Sequence, residues 1–348
     1  MDRDDAIEPM KFRFKTLDAM TATALAVAAA VGIIFFVWLL RKPTIIVTNP
    51  SGKNIASATS PITGLPCADA TKRPIAVMLS SDAVARPLSG LAAADMVFEM
   101  PVTPNGITRL MAVFQCTDPK EVGSIRSARG PFIPLVQGLN AIYAHWGGER
   151  DALAQLNAHI VDNVDALLYE GSTYYRKAGI PKPHNGFTTL QLVRERADDL
   201  GYSASSSLAP YPHAKANPNS NLGSLVTEAG VQWPQRMDVS FHYDAASDTY
   251  LRWRGGTPEM DATTNTQVSA SVVIIVQTDA KFLYDQYISV RVTGTGTATI
   301  YQDGKRIDAT WRKDAPTSML TFVDEQGNQI PFTPGKIWVL IDAPLPQP

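Results

Sequence analysis

Charge is scarce in this sequence. Of its 348 residues only 18% are Asp, Glu, Lys or Arg, below the ~25% of an average soluble domain. The 31 basic and 33 acidic side chains nearly cancel, to −2. That balance excludes a chain built to coat nucleic acid, where sequence-independent affinity comes from neutralised phosphates. With 45% hydrophobic residues the chain is equally not a disordered or acidic solvating polymer. Cysteine is almost absent, at two residues. Neither a paired CxxC nor an HExxH occurs, so nothing supports a structural zinc or a zincin site. There is no GxxxxGK(S/T) loop and no GxSxG elbow. Gly294-Thr-Gly296 lies in a β-rich run with no helix after it, so it is no nucleotide fingerprint. The five histidines, at 145, 159, 184, 213 and 242, show no short ligand spacing. No metal and no cofactor is expected.

The missing charge is concentrated near the start. Ala19 to Leu40 is a run of 22 uncharged residues bounded by Asp18 and by Arg41-Lys42. As a helix it would reach roughly 33 Å, enough for a hydrocarbon core of ~30 Å. Trp38 sits where an interfacial aromatic would. A cleaved signal peptide needs small residues just after the apolar run, whereas Leu39-Leu40-Arg41-Lys42-Pro43 follows here. A core helix seldom runs so long without a polar face. The expectation is a single-pass anchor at 19–40, with a short cytoplasmic tail at 1–18. Four Lys/Arg before it against three after favour the N-terminus inside. The bulk of the chain would then stand outside the membrane, where Cys67 and Cys116 are either a disulfide or two separate buried thiols.

Residues 41–60 read as a flexible tether. Beyond it, Arg73–Ser80, Ala94–Met100, Ile107–Gln115 and Asn140–Trp146 look like strands. Pro131–Leu139, Glu149–Ala158 and Phe187–Leu200 look helical. The mixture predicts an α+β protein: a mixed α/β three-layer-type domain over 61–215 and a mainly β domain over 216–348. A Ser/Pro/Asn-rich stretch around 202–223 marks the boundary. Strands are expected at Met237–Tyr243, Thr249–Arg254, Ser271–Gln277, Tyr287–Thr293, Thr297–Gln302 and Ile337–Ile341.

Chemistry gathers in the first of these domains. Gly123-Ser-Ile-Arg-Ser-Ala-Arg129 runs into Gly130-Pro131, and Pro favours a first helical turn, with Ser127 or Gly130 as its cap. That would set Arg126 and Arg129 beside amides that already favour an anion. Arg109 alternates with Met111 and Val113, so it points to the apolar side of its strand, where Glu99 on the neighbouring strand is the expected partner. His145-Trp-Gly-Gly148 and His184-Asn185-Gly186 resemble each other, and Tyr174-Tyr-Arg176 precedes the second. Each piece also has a structural reading, as an ion pair, a solvated turn or a loop hydrogen bond. Convergence of Glu99, Arg109, Arg126, Arg129, Arg176 and Asn185 would make an anion-binding pocket. His145 or His184 would be its acid/base, since an imidazole titrates near neutrality.

These segments carry a resemblance. Pro61-Ile-Thr-Gly-Leu-Pro66, Arg86-Pro-Leu-Ser-Gly-Leu91, Ala94-Asp-Met-Val-Phe-Glu99, Gly106-Ile-Thr-Arg109, Gly123 to Arg129, His145-Trp-Gly-Gly148 and Pro183-His-Asn185 follow one another in order. Val273-Ile-Ile-Val-Gln277 and Gly304 to Lys313 continue the series. The succession resembles the YerB-like bacterial lipoproteins, a family defined as a domain of unknown function, over about residues 60 to 348. It implies an extracytoplasmic, membrane-attached protein and supplies no reaction. Members of the family are typically held by a lipid on a cysteine just after a signal peptide. Here the first cysteine is Cys67, 27 residues past the apolar run.

The expected function is that of a membrane-anchored envelope protein binding an anionic envelope polymer or an acidic protein partner, with no nucleic acid. The alternatives are an envelope hydrolase or transferase using His145 or His184, and a structural scaffold.

Overall fold

The computed structural model describes residues 58–214, 224–234 and 237–344, all within a compact unit spanning Ala56–Pro348. The tail, the apolar stretch at 19–40 and nearly all of the tether lie outside the described residues. Among the described residues no helix is long and apolar enough to cross a membrane.

β1 (Ile75–Ser80), β2 (Met96–Pro101) and β3 (Thr108–Phe114) are buried along their whole length. β4 (Val122–Gly123) leads through a 3-10 turn at Gly130–Phe132 into α1 (Ile133–Gly138). Then come β5 (Ile142–His145), α2 (Arg150–Asn157), β6 (Asn163–Asp165) and α3 (Ala166–Tyr169). β7 (Tyr175–Arg176), β8 (Gly186–Thr188) and α4 (Leu190–Asp199) follow. The remainder is strand. β9 (Ser224–Leu225), β10 (Glu228–Val231), β11 (Val239–Asp244), β12 (Thr249–Arg254), β13 (Thr257–Pro258) and β14 (Ser269–Ala270) come first. β15 (Val272–Gln277), β16 (Ala280–Tyr284), β17 (Tyr287–Val290), β18 (Gly294–Gln302), β19 (Lys305–Lys313), β20 (Thr321–Val323) and β21 (Ile337–Asp342) complete it.

One 11-stranded sheet dominates, in the order β20-β19-β18-β15-β21-β2-β3-β1-β5-β6, with β9 paired to β19. β21 lies parallel between β15 and β2, so strands from both halves of the chain form one continuous surface. Met78, Met100, Met111 and Ile274 on one face pack against α1, α2 and the hairpin β16–β17. Val77, Leu110, Ala112 and Val273 on the other pack against α4 and the small sheet β10–β12.

The predicted α+β class, with a mixed α/β three-layer-type first domain, is therefore corrected. Strand outweighs helix over the described residues as a whole, and their four α-helices run only 6, 8, 4 and 10 residues. The physical reason is double coverage. Strands buried on both faces read as unbroken apolar runs, which carry no period of two. The short helices that were legible have local signals. Glu149 caps α2 by accepting from the amides of Asp151 and Ala152, and Thr189 caps α4 by accepting from the Leu192 amide at 3.2 Å.

The sheet also decides which ends meet. β1, β5 and β6 are mutually parallel, so Ser80, His145 and Asp165 all lie at carboxyl ends along one edge. Open α/β-type sheets place ligands at such an edge.

Candidate functional site

At the carboxyl end of β1, Ser80 stands opposite Arg109 of β3 in the antiparallel register. The chain then turns through Ser81 and Asp82. The segment 124–129 crosses this end as an added strand. The Arg126 amide donates to the Met78 carbonyl at 2.9 Å, the Trp146 amide to the Arg126 carbonyl at 3.0 Å, and the Ala128 amide to the Gly147 carbonyl at 2.9 Å. The loop before β8 brings in His184, and Tyr287 of the hairpin closes the far side. Arg109, Arg126, Arg129, His184, Ser80 and Asp82 therefore converge.

Their electrostatics are unbalanced. Asp82 Oδ2 lies 3.5 Å from Arg109 Nη1 and accepts from Ser80 Oγ at 2.8 Å. Burial pushes the Asp82 carboxyl up, but Arg109, Ser80, Arg126 and His184 together hold it below the usual carboxylate range. The Arg109 guanidinium, only 5% exposed, is pushed down to about 9 by burial and by Arg126, against the pull of Asp82. Burial likewise lowers Arg126 and Arg129. Arg129 lies 5.0 Å from the centroid of the Tyr287 ring, and its Nη1 donates to the Ala128 carbonyl at 2.8 Å. Glu149 also attracts Arg129, yet its oxygens already serve the Gly130 and Ala152 amides, at 3.0 and 2.9 Å, and the Tyr284 hydroxyl. The Nε atoms of Arg109, Arg126 and Arg129 are all buried without a hydrogen-bond partner. Arg109 and Arg126 thus share Asp82, and Arg129 has only the already engaged Glu149, so three guanidiniums stand against two carboxylates. A buried donor left unpaired costs free energy that an anion would recover.

The helix-terminus expectation needs correction. Arg129 itself occupies the N-cap position of the 3-10 turn and makes no side-chain cap bond. The arginines are assembled by the sheet edge, not by a helix dipole. The expected Arg109–Glu99 pair is also overturned. In the register Met100 faces Arg109 and Glu99 faces Leu110, and residues directly opposite share a face. Glu99 therefore lies on the other side of the sheet. There it accepts from Arg252 Nη2, Arg254 Nη2 and Thr108 Oγ1, each at 2.6 Å. Alternation was read correctly within each strand, but relative register is set by the tertiary pairing.

His145 does not join the pocket. It is fully buried, with Nδ1 2.9 Å from the Gly147 carbonyl and Nε2 3.2 Å from Asn163 Oδ1, so its own loop engages one ring nitrogen and β6 the other. Arg176 stacks on Trp146 at 4.1 Å and bonds Glu170 at 2.6 Å and Asn185 Oδ1 at 2.8 Å. Arg176 and Asn185 thus brace the loop next to His184. Cys67 and Cys116 form a disulfide with Cα atoms 5.5 Å apart. Ser80, Asp82 and Tyr287 escaped the sequence reading. For the first two a signal existed, a hydroxyl and a carboxylate just past an apolar strand. For Tyr287, which arrives from the far half of the chain, none did. Among the described residues no group of three or more His, Cys, Asp or Glu could hold a metal ion.

Comparison with known proteins places this arrangement in context. A family model described as the N-terminal domain of a protein of unknown function (DUF3048) matches residues 62–203, and the corresponding C-terminal domain matches residues 229–339. A protein of Bacillus subtilis (strain 168) named "Putative lipoprotein YerB" is 29% identical over 287 residues, covering 81% of this chain and 85% of that protein. The crystal structure of the YerB protein from Bacillus subtilis aligns with a TM-score of 0.74 at 28% identity, covering 83% of this chain and 97% of that one.

Proposed function

The chain belongs to the DUF3048 family, and on that premise we propose that it is an extracytoplasmic, membrane-associated envelope protein that binds an anionic ligand between Arg109, Arg126 and Arg129. The observation that carries the reading is the excess of guanidinium over carboxylate at one sheet edge, with three buried Nε donors unpartnered. Two further features support it. The relative from Bacillus subtilis is named a lipoprotein, and a Cys67–Cys116 disulfide suits an oxidising compartment. A planar guanidinium offers paired donors to phosphate or carboxylate oxygens, so the ligand class is a phosphate- or carboxylate-bearing envelope component.

Titration calorimetry tests this with inorganic phosphate, a phosphodiester polymer and polyglutamate as probes. Removing one charge-assisted hydrogen bond costs about 1.5–3 kcal/mol, so Arg126→Ala and Arg129→Ala should each weaken binding by roughly 10- to 100-fold. The empty pocket is self-repelling, because Arg126 lowers Arg109 and Arg129 lowers both Arg109 and Arg126. Neither variant should therefore melt lower than the parent by more than the packing of its side-chain stem contributes. Unchanged affinity in both variants would remove the pocket from consideration.

A further inference from the structure

A histidine stands beside the arginines, held at one ring nitrogen by Ser80 and Asp82. Ser80 Oγ accepts from the Asp82 amide at 3.2 Å and donates its proton to Asp82 Oδ2 at 2.8 Å. Its distance to His184 Nδ1 is 3.4 Å, and Asp82 Oδ2 lies 3.8 Å from the same nitrogen. With the Ser80 proton already committed, both oxygens facing Nδ1 are acceptors. Nδ1 therefore carries the ring proton, and the lone pair is left on Nε2.

We propose that His184, oriented by Asp82, is the general base of a phosphate-ester hydrolase whose substrate is held by Arg109, Arg126 and Arg129. The proposal rests on the anion-binding reading above and deepens it. Arg126 joins the two functions in space, since its Nη1 lies 3.5 Å from the carbonyl of Pro183, the residue before His184. The groups facing the imidazole are Asp82, Arg109 and Arg126. Burial and the two arginines favour the neutral ring, while Asp82 favours the charged one, and the balance lies below the ordinary histidine value. A neutral imidazole is the form that accepts a proton. Three guanidiniums against Asp82 and the already engaged Glu149 leave an excess that suits phosphate oxygens and the charge that develops on them during transfer.

Water is the nucleophile in this scheme. Ser80 is fully buried with its proton held by Asp82, and Ser124 is also buried, at 1% exposure. His184 Nε2 takes a proton from water as the water oxygen forms a bond to phosphorus. The bond from phosphorus to the leaving oxygen breaks on the opposite side, that oxygen takes a proton from solvent, and Nε2 returns its own to solvent. The products are an alcohol and a phosphate, or a phosphomonoester from a diester, and no oxidant or reductant is consumed. His184 is the catalytic residue and Asp82 a positioning residue.

The full-length protein is assayed with bis(p-nitrophenyl) phosphate and with p-nitrophenyl phosphate, beside calorimetry with inorganic phosphate. Turnover of the diester would mark an internal polymer linkage as the substrate, and turnover of the monoester a terminal phosphate; either supports the proposal. A general base contributes roughly 10²- to 10⁴-fold, so His184→Gln should lose that much kcat while still binding phosphate. Asp82→Asn should shift the acid limb of the pH–rate profile to lower pH, because the ring loses the charge that favours its protonated form. A wild-type protein that binds phosphate but turns over neither ester overturns this proposal and leaves the binding reading standing. So does a His184→Gln variant as fast as its parent, or an Asp82→Asn variant with an unmoved acid limb. Failure of the wild-type protein to bind any anionic probe overturns both.

Discussion

Replacing Glu99 by Gln perturbs the protein in a way whose size follows from the structure. Glu99 and both arginines it meets are fully buried. Arg252 and Arg254 each bond Glu99 at 2.6 Å, and their Nε atoms reach Glu259 Oε2 at 2.6 and 3.3 Å. The Arg252 guanidinium also stacks on Trp338 at 3.9 Å. Two cations and two anions thus close a square between β2 of the large sheet and β12 of the small one. Glu99→Gln keeps the volume and one acceptor oxygen but leaves two guanidiniums against one carboxylate, away from water. Breaking a buried pair from one side costs about 3–5 kcal/mol, because the remaining charge cannot be solvated. At about 2–4 °C per kcal/mol for domains of ~150–250 residues, melting should fall by on the order of 10 °C. Calorimetric unfolding of Glu99→Gln beside the exposed control Glu195→Gln reads this out, and the control should stay within about 0.5 kcal/mol of the parent. Phosphate affinity should not change, since Glu99 and Arg109 occupy opposite faces of the sheet. A loss under about 1 kcal/mol, equal to the scatter of ordinary substitutions, would refute the charge-square argument. A coupled loss of phosphate affinity would refute the face assignment.

Two further outcomes are expected. The Cys67–Cys116 bridge joins residues 49 apart, so in a chain-entropy model reduction, or the double replacement by Ser, should cost about 4 kcal/mol. Urea unfolding with and without reductant measures it, and equal midpoints would contradict it. Burial raises the Glu259 carboxyl, yet Arg252 and Arg254 outweigh burial and hold it at about 2, against an ordinary value of 4.5. A depressed carboxylate stabilises the fold above its unfolded value, and that contribution is lost as pH falls through the folded value. Wild-type stability should therefore decline on acidification across this window with a slope that includes about 1.4 kcal/mol per pH unit from this one proton. Glu259→Gln, less stable at neutral pH, should lack that share of the slope; identical slopes would show that Glu259 is not held down.

Much of the strand content was legible in the residues. Thr249–Arg254 is predicted and found with the same bounds, because β12 is half covered and alternates intermediate with buried positions. Ile337–Ile341 falls within one residue of β21, because its apolar run is bounded by Lys336 and Asp342. The pattern at Phe187–Leu200 predicts a single helix, whereas Gly186–Thr188 is a strand and the helix begins at Leu190. Thr189, the cap that separates them, serves locally as either loop or helix start. Lys305–Lys313 carries five charged residues and was not read as a strand at all. Its pairing to β18 along nine residues makes it one, since charged side chains are tolerated on a strand face that remains exposed.

The pocket divides in the same way. Arg126 and Arg129 stood out because their short segment is dense in Gly, Ser and Arg, and His184 because it follows Pro183. What brings them to Arg109 and Asp82 is the placement of β1 between β3 and β5, which no local pattern encodes. His145 and His184 look alike in sequence, each beside an Asn or Trp and a Gly. The fold seals the first inside, at 0% exposure, and leaves 13% of the second side chain exposed.

By itself the amino-acid sequence determined the composition class of this protein, its apolar strands, its family resemblance and the uncharged stretch at 19–40. Each of those is a property of consecutive residues. Only the tertiary structure decided that both halves share one sheet, that Glu99 turns away from Arg109, and that His184 rather than His145 meets the arginines. Those outcomes depend on strand order and register, which are set by burial on both faces of the sheet between residues far apart in the chain.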